Sequence, residues 1–411
     1  MYRTVITGIG VVSPLGSDLD TFWSNLITGV NGIGQISRFD TTNFPVTIAA
    51  EVQGFNVDEF IDRKEQRRTD AFSHYAIAAA RMAIADSGFD TSAGDPFRHG
   101  CIISSGIGGI VTTENEILKL QERGPSRVSP FCIPQILVNM PSGLVAIEHN
   151  LKGANFAVVS ACASGLHSIG DAMHIIKRGE ADMMLAGGCE ASIGPIGVAG
   201  FAALHALSRR NDDPAAASRP FDKDRDGFVI GEGGTVLVLE EYEHAKKRSA
   251  KIYAEIVSIG QTCDAFHMTA PSDDGSGFAR AIKHALDAAE VNASEVDYIN
   301  AHGTSTPMND RTETKAIKVG LGEDNARKTM ISSTKSMLGH MLGAAGAIES
   351  AVCALAVKNG VIPPTINYTT PDPDCDLDYV PNTAREAEVN VCLNNSLGFG
   401  GHNACALFKK V

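Results

Sequence analysis

The chain has 411 residues, 44% hydrophobic and 20% charged, the composition of an ordinary globular protein with ample core. Its net charge of −13 makes it a poor partner for nucleic acid through phosphate neutralisation. Nine scattered cysteines without a CxxC pair argue against a zinc site or a disulfide framework, so no metal is expected. Residues 1–6 read as a strand rather than a signal peptide, and no apolar run approaches the roughly 18 residues that span a bilayer. The expectation is a cytoplasmic, reducing setting with no membrane partner.

Residues 4–14 read as a strand followed by a Gly-rich turn, in which Gly8-x-Gly10-x-x-Ser13 lacks the third glycine of a dinucleotide fingerprint. Asp18 is placed to cap a short helix through Trp23 and Leu26. Residues 61–68 hold Arg63, Lys64, Arg67 and Arg68; on a helix, Arg63 and Arg67, and Lys64 and Arg68, stand one turn apart. A solvated face is the usual fate of such a run. In so acidic a chain it is also a dock for an acidic partner. Residues 72–85 read as an amphipathic, Ala-rich helix, and residues 100–105 as a buried strand followed by Gly106-Ile107-Gly108-Gly109. Residues 141–149 read as a helix with proline in its first turn.

Residues 156–159 then read as a buried strand running into a helix that begins at Cys162, with Ala, Ser and Gly crowding the junction. A thiol on a first helical turn meets unpaired N–H groups and the positive end of the dipole, which favour the nucleophilic thiolate. The same N–H groups can hold the oxyanion of an attacked thioester. The competing reading is that a free cysteine is usually inert packing. Residues 182–188 and 235–239 read as further buried strands. Between them, Asp222-Lys-Asp224-Arg-Asp226-Gly227 imitates the start of an EF-hand loop, but Gly233 stands where the twelfth-position acid belongs, which argues against calcium.

The second half repeats the first in outline: a strand over 251–259, a helix over 276–289, a strand over 296–300, a strand end and small-residue helix over 335–359, and a strand over 389–394. Two packed α/β halves with mostly parallel central strands are expected. His302, Thr304 and Thr306 follow one strand, where α/β sheets present functional groups. His340 stands at the entrance of the Ala/Gly helix that runs to Cys353, so pseudo-symmetry aims it at Cys162. Lys335 reaches the same pocket, and Glu349, on an apolar helix, is a structural partner for it. A Cys-His pair alone also fits a cysteine hydrolase. Two histidines and a lysine fit better with loss of CO2 from an activated malonyl group, which needs N–H donors on a thioester carbonyl rather than a strong base.

Ser160-Ala-Cys162-Ala-Ser-Gly165, Ala301-His302-Gly-Thr304-Ser-Thr306, Lys335-Ser-Met-Leu-Gly-His340, Gly346-Ala-Ile-Glu349 and Asn395-Ser-Leu-Gly-Phe399-Gly-Gly, in that order, resemble the β-ketoacyl-[acyl-carrier-protein] synthases of the thiolase-like superfamily along the whole chain. The resemblance implies a five-layered αβαβα fold of two pseudo-symmetric halves, here placed at 1–250 and 251–411, and a homodimer. It implies Cys162 as acyl acceptor, His302 and His340 as promoters of decarboxylation, and Lys335 as support for His340. It implies an oxyanion hole from the N–H groups of Cys162 and Phe399, with the Phe399 side chain as gate. Thr269, Thr304 and Thr306 resemble contacts to the phosphopantetheine arm, which the acyl carrier protein brings; no separate cofactor is implied. Ile107 and the 306–310 stretch are most similar to the synthase II branch, with Ile107 at the floor of the acyl pocket across the dimer interface. Lys64, Arg67 and Arg68 match the carrier-protein dock. His205 and His402 depart from the common arginine and threonine.

The implied activity is elongation: acyl transfer to Cys162, decarboxylation of the malonyl carrier, and a Claisen condensation. The alternatives are a polyketide ketosynthase, a non-catalytic partner subunit of the chain-length-factor type, and a cysteine-dependent thioesterase or acyltransferase.

Overall fold

The computed structural model describes residues 1–411. Apolar runs form ten strands: β1 (Thr4–Val12), β2 (His99–Ser104), β3 (Asn155–Phe156), β4 (Met183–Glu190) and β5 (Gly233–Glu241), then β6 (Ala254–Cys263), β7 (Tyr298–Asn300), β8 (Met330–Ser332), β9 (Val391–Gly398) and β10 (His402–Lys409). They lie in one sheet, in the order β8-β7-β9-β10-β6-β1-β5-β4-β2-β3. Each half therefore has the same spatial order: third, second, fourth, fifth, first. The pairing repeats as well. The third and second strands, and the second and fourth, run parallel. The fourth and fifth, and the fifth and first, run antiparallel. The halves are thus mixed rather than mostly parallel, and they join where Thr4, Val5 and Ile6 pair with Ile256, Glu255 and Ala254.

Helices fill the three remaining layers. On one outer face lie α1 (Ala71–Ser87) and α2 (Met140–His149); on the other lie α4 (Ser276–Ala289) and α5 (Pro307–Leu321). Between the half-sheets lie α3 (Ser164–Lys177) and α6 (Ala345–Asn359). Residues 345–357 of α6 are all buried, so its sequence is apolar or small on every side. This is the thiolase-like αβαβα sandwich.

Several local expectations change. Gly8 and Gly10 sit inside β1 rather than in a turn, because a Cβ on Gly10 would stand 1.9 Å from Ala79 O of α1. That close approach buries α1 on most of its surface instead of one face. The basic stretch is a single turn, Arg63–Gln66. Only Asn155–Phe156 pair ahead of Cys162, at the edge of the sheet, and Phe156 and Val159 are exposed. The strand end expected at 335 is instead a helical turn, Lys335–Leu338; Gly339 then turns with φ 63°, and the small-residue helix α6 starts at Ala345. No helix is long and apolar enough to cross a membrane.

Candidate active site

Cys162 lies in a tight turn, Ala161–Ala163, immediately before α3. From the other half come His302, just after β7, and His340, between the 335–338 turn and α6. The sheet order places the ends of β7 and β9 and the start of α3 around one point. There a cavity of about 370 Å³ is lined by Cys162, His302, His340 and Phe399. Thr269, Thr304 and Thr306 also line it, as does His205. Phe399 is held against the nucleophile turn because Gly398 has no side chain: a Cβ there would stand 2.3 Å from Ser160 O. The Phe399 N–H has no acceptor within the chain, and the Cys162 N–H faces its own sulfur.

Burial governs the charges. It pushes the Cys162 thiol up to about 12; Lys335 pulls it down and Glu190 pushes it further up. The expected thiolate is therefore not the resting form: loss of hydration outweighs the free N–H groups of the turn. Burial also holds His302 and His340 far below the ordinary histidine range, with Lys335 acting in the same direction on both. Both rings are neutral. Lys335 Nζ stands 3.4 Å from His302 Nδ1, and the Leu342 N–H donates to His340 Nδ1 at 3.3 Å. Each Nδ1 is thus the acceptor, which leaves Nε2–H as the donor on each ring. The rings meet edge to face, 5.3 Å between centroids at 85°.

Lys335 does not line the cavity. It contacts His302 and forms a buried ion pair with Glu349, and its charge acts on His340 as well. Burial pushes the Glu349 carboxyl up to about 7 against the pull of Lys335. Ile107 also stands off the cavity wall and packs on the cluster that contains Cys162, Val198 and Leu342. Lys64 and Arg67 are exposed away from the cavity; Arg68 pairs with Glu65 and lies over the Phe131 ring. Asp222 spends its carboxylate on Arg219 and on the N–H groups of Asp224, Thr369 and Thr370, a tether rather than an ion site.

Two groups were not foreseen. Glu313 accepts the His302 and Gly303 N–H groups at 2.8 and 2.7 Å and so fixes the histidine's backbone. Its signal was available: it shares a helix face with Ala316, Ile317 and Gly320, and an acid on a buried face needs donors. Phe228 packs edge-on against His340 at 5.3 Å. Three non-glycine residues with left-handed backbone, Ala161, Ser305 and Leu342, mark the turns beside Cys162, His302 and His340. Such strain collects at working sites.

The family model "Beta-ketoacyl synthase, N-terminal domain" matches residues 1–245, and "Beta-ketoacyl synthase, C-terminal domain" matches residues 253–369. The chain belongs to the β-ketoacyl synthase family. It is 50% identical over 408 residues to 3-oxoacyl-[acyl-carrier-protein] synthase 2 of Synechocystis, covering 99% of this chain and 98% of that one. The Coxiella burnetii protein of the same name is also 50% identical, over 100% of this chain and 99% of its own length. Among solved structures, a β-ketoacyl synthase from Burkholderia phymatum superposes with a TM-score of 0.92 at 38% identity, covering 100% of both chains. A type II polyketide ketosynthase in complex with its acyl-carrier protein superposes with a TM-score of 0.93 at 37% identity, over 100% of this chain and 99% of that one.

With 15N-labelled histidine, NMR is expected to show His302 and His340 as neutral Nε2–H rings that do not titrate as pH falls from about 8 to about 6. Unfolded histidines take up protons near pH 6.5 and these folded rings do not. Their contribution to stability is therefore complete above about pH 6.5 and is lost progressively below it. A protonated ring at neutral pH, or a proton on Nδ1, would contradict this assignment.

Proposed function

We propose that this chain is an elongating β-ketoacyl-[acyl-carrier-protein] synthase, adding two carbons to an acyl group carried by acyl carrier protein. The observation that supports this most is one cavity that joins a thiol from the first half to two neutral N–H donors from the second. Cys162 attacks the acyl thioester. The new S–C bond replaces the carrier's, and the thiol proton leaves on the carrier sulfur. The N–H groups of Cys162 and Phe399 receive the oxyanion. The malonyl thioester then places its carbonyl oxygen on the Nε2–H groups of His302 and His340. The C–C bond to the carboxylate breaks, CO2 leaves, and the electron pair rests on the enolate so held. The enolate carbon attacks the acyl group on Cys162, the S–C bond to the cysteine breaks, 3-oxoacyl-carrier protein leaves, and the sulfur takes one proton from solvent. Neutral rings suit this step: a donor is needed, and no strong base is.

Lys335 acts through His302, and Glu349 neutralises Lys335. Thr269, Thr304 and Thr306 line the path of the pantetheine arm, which is the carrier's own group, so the chemistry asks for no separate cofactor. Phe399 gates that path. Lys64, Arg67 and Arg68 receive the acidic carrier protein. We place the division between halves at 250/251. The chain pairs as a homodimer through the free edge of β3, where Phe156 and Val159 are exposed and Ile147 of α2 is exposed nearby. In the dimer, Ile107 closes the acyl pocket. Fatty-acid elongation is favoured over polyketide synthesis because the curated synthase 2 relatives are 50% identical and the polyketide ketosynthase 37%. A non-catalytic chain-length-factor role is disfavoured because Cys162 is in place beside both histidines.

Mixed with hexanoyl-carrier protein, the protein is expected to gain one acyl mass and its Cys162→Ala variant none; malonyl-carrier protein then releases CO2 from the loaded enzyme. Equal acylation of the variant would remove Cys162 as the nucleophile and sink this reading; acylation followed by hydrolysis without CO2 would favour a cysteine-dependent acyltransferase or thioesterase. Substituting Lys64 and Arg67 together by Glu should raise KM for carrier substrates with kcat preserved, an effect that shrinks as salt screens the dock. An unchanged KM at low salt removes these residues from docking.

A further inference from the structure

Glu190 closes β4, fully buried, beside the turn that bears Cys162. Its carboxylate holds two separate segments. Oε1 accepts Ser105 Oγ at 2.7 Å and the Ile107 N–H at 3.4 Å; Oε2 accepts the Gly106 N–H at 2.8 Å and the Gly343 N–H at 3.0 Å. Three of those donors belong to the segment leaving β2, which carries Ile107. The fourth belongs to the segment between His340 and α6. The two segments touch so closely that a Cβ on Gly343 would stand 2.2 Å from Gly106 N and 2.8 Å from Glu190 Oε2.

The contact matters because of what precedes Gly343. Leu342 is held at φ 48°, in the left-handed region, and its N–H is the donor that fixes His340 Nδ1. A bulky residue keeps such a conformation only where its surroundings over-determine it. A charge-assisted hydrogen bond to the next residue is a constraint of that kind. Ser105 and the backbone donors also favour the carboxylate over the acid, offsetting burial, which pushes Glu190 up to about 7.

We propose that Glu190 is a positioning residue for condensation, holding His340 through the Leu342–Gly343 turn while it holds Ile107 through residues 105–107. The proposal rests on the roles given above to Cys162 and His340. Glu190 touches no reacting atom; it keeps the decarboxylating donor and the acyl side of the site in one geometry.

Glu190→Gln keeps the side-chain size but puts an NH2 group among N–H donors, so at most half of the contacts survive. Wild type and variant are loaded with hexanoyl-carrier protein, and the loaded fraction is counted by intact-protein mass spectrometry. Loaded enzyme is then mixed with malonyl-carrier protein in a single turnover. The expected result is a rate per loaded site that falls about ten- to a hundred-fold, the scale of an ångström-sized misplacement. A residue that serves folding alone would reduce the number of sites that load while leaving the rate per loaded site unchanged, and that result overturns the proposal. If Glu190→Gln does not fold, Glu190→Asp, which keeps the charge but is too short to reach both segments, must show the same fall per loaded site. A wild-type rate for Glu190→Asp overturns the proposal equally. Failure of the wild type to load on Cys162 would instead strike the function proposed above.

Discussion

Removal of water from the space between the two half-sheets is the constraint from which the rest of the site follows. Cys162, His302, His340 and Lys335 are each at most 9% exposed. In that setting an ionised thiol or imidazolium is costly, so the sulfur rests as a thiol and both rings rest neutral. The same loss of water strengthens every remaining dipole. A neutral Nε2–H becomes an effective partner for an enolate, and the one fixed cation, Lys335, is matched by Glu349. Breaking that pair by removing one partner would leave the other charge buried alone, a larger loss than the pair itself contributes.

Buried acids carry much of the geometry. Glu313 fixes the backbone at His302 and Gly303, while Glu190 fixes residues 105–107 and Gly343. Each satisfies N–H groups at turns where the chain leaves a regular element and would otherwise bury donors without acceptors. The strained residues Ser305 and Leu342 lie beside those turns, and Ala161 lies in the nucleophile turn, which Ser164 holds. The site is thus assembled from loop segments, but loops braced by carboxylates and backed by two central helices with little room to move.

How much of this was legible in the sequence depends on range. The apolar periodicity of residues 276–289 matches α4 residue for residue, and the uniform small residues of α6 announced a central helix. Cys162, His302, His340, Lys335 and Glu349 were found through their motifs, which are local. What depended on long-range packing was misread. Gly8 and Gly10 looked like a turn because the helix that presses on them begins sixty residues later. Thiolate character at Cys162 followed from its turn alone, whereas its burial comes from remote segments such as Ile48–Ala50, Val198 and Leu342 that pack around it. The assignment of Lys335 to His340, its neighbour in the chain, left out the contact with His302 that folding adds. Glu190 and Glu313 were missed because an acid in a strand or helix shows its donors only once remote turns are in place.

The central claim is that the two neutral histidines promote loss of CO2 while the cysteine carries the acyl group. Single-turnover kinetics of His302→Ala and His340→Ala, with acyl loading and CO2 release followed separately, test it most directly. The account predicts that both variants still load Cys162, while CO2 release from malonyl-carrier protein falls by about a hundred- to a thousand-fold, the usual cost of losing one such donor. Loss of acyl loading with CO2 release preserved would contradict it, because the histidines would then be bases for the thiol rather than donors to the enolate.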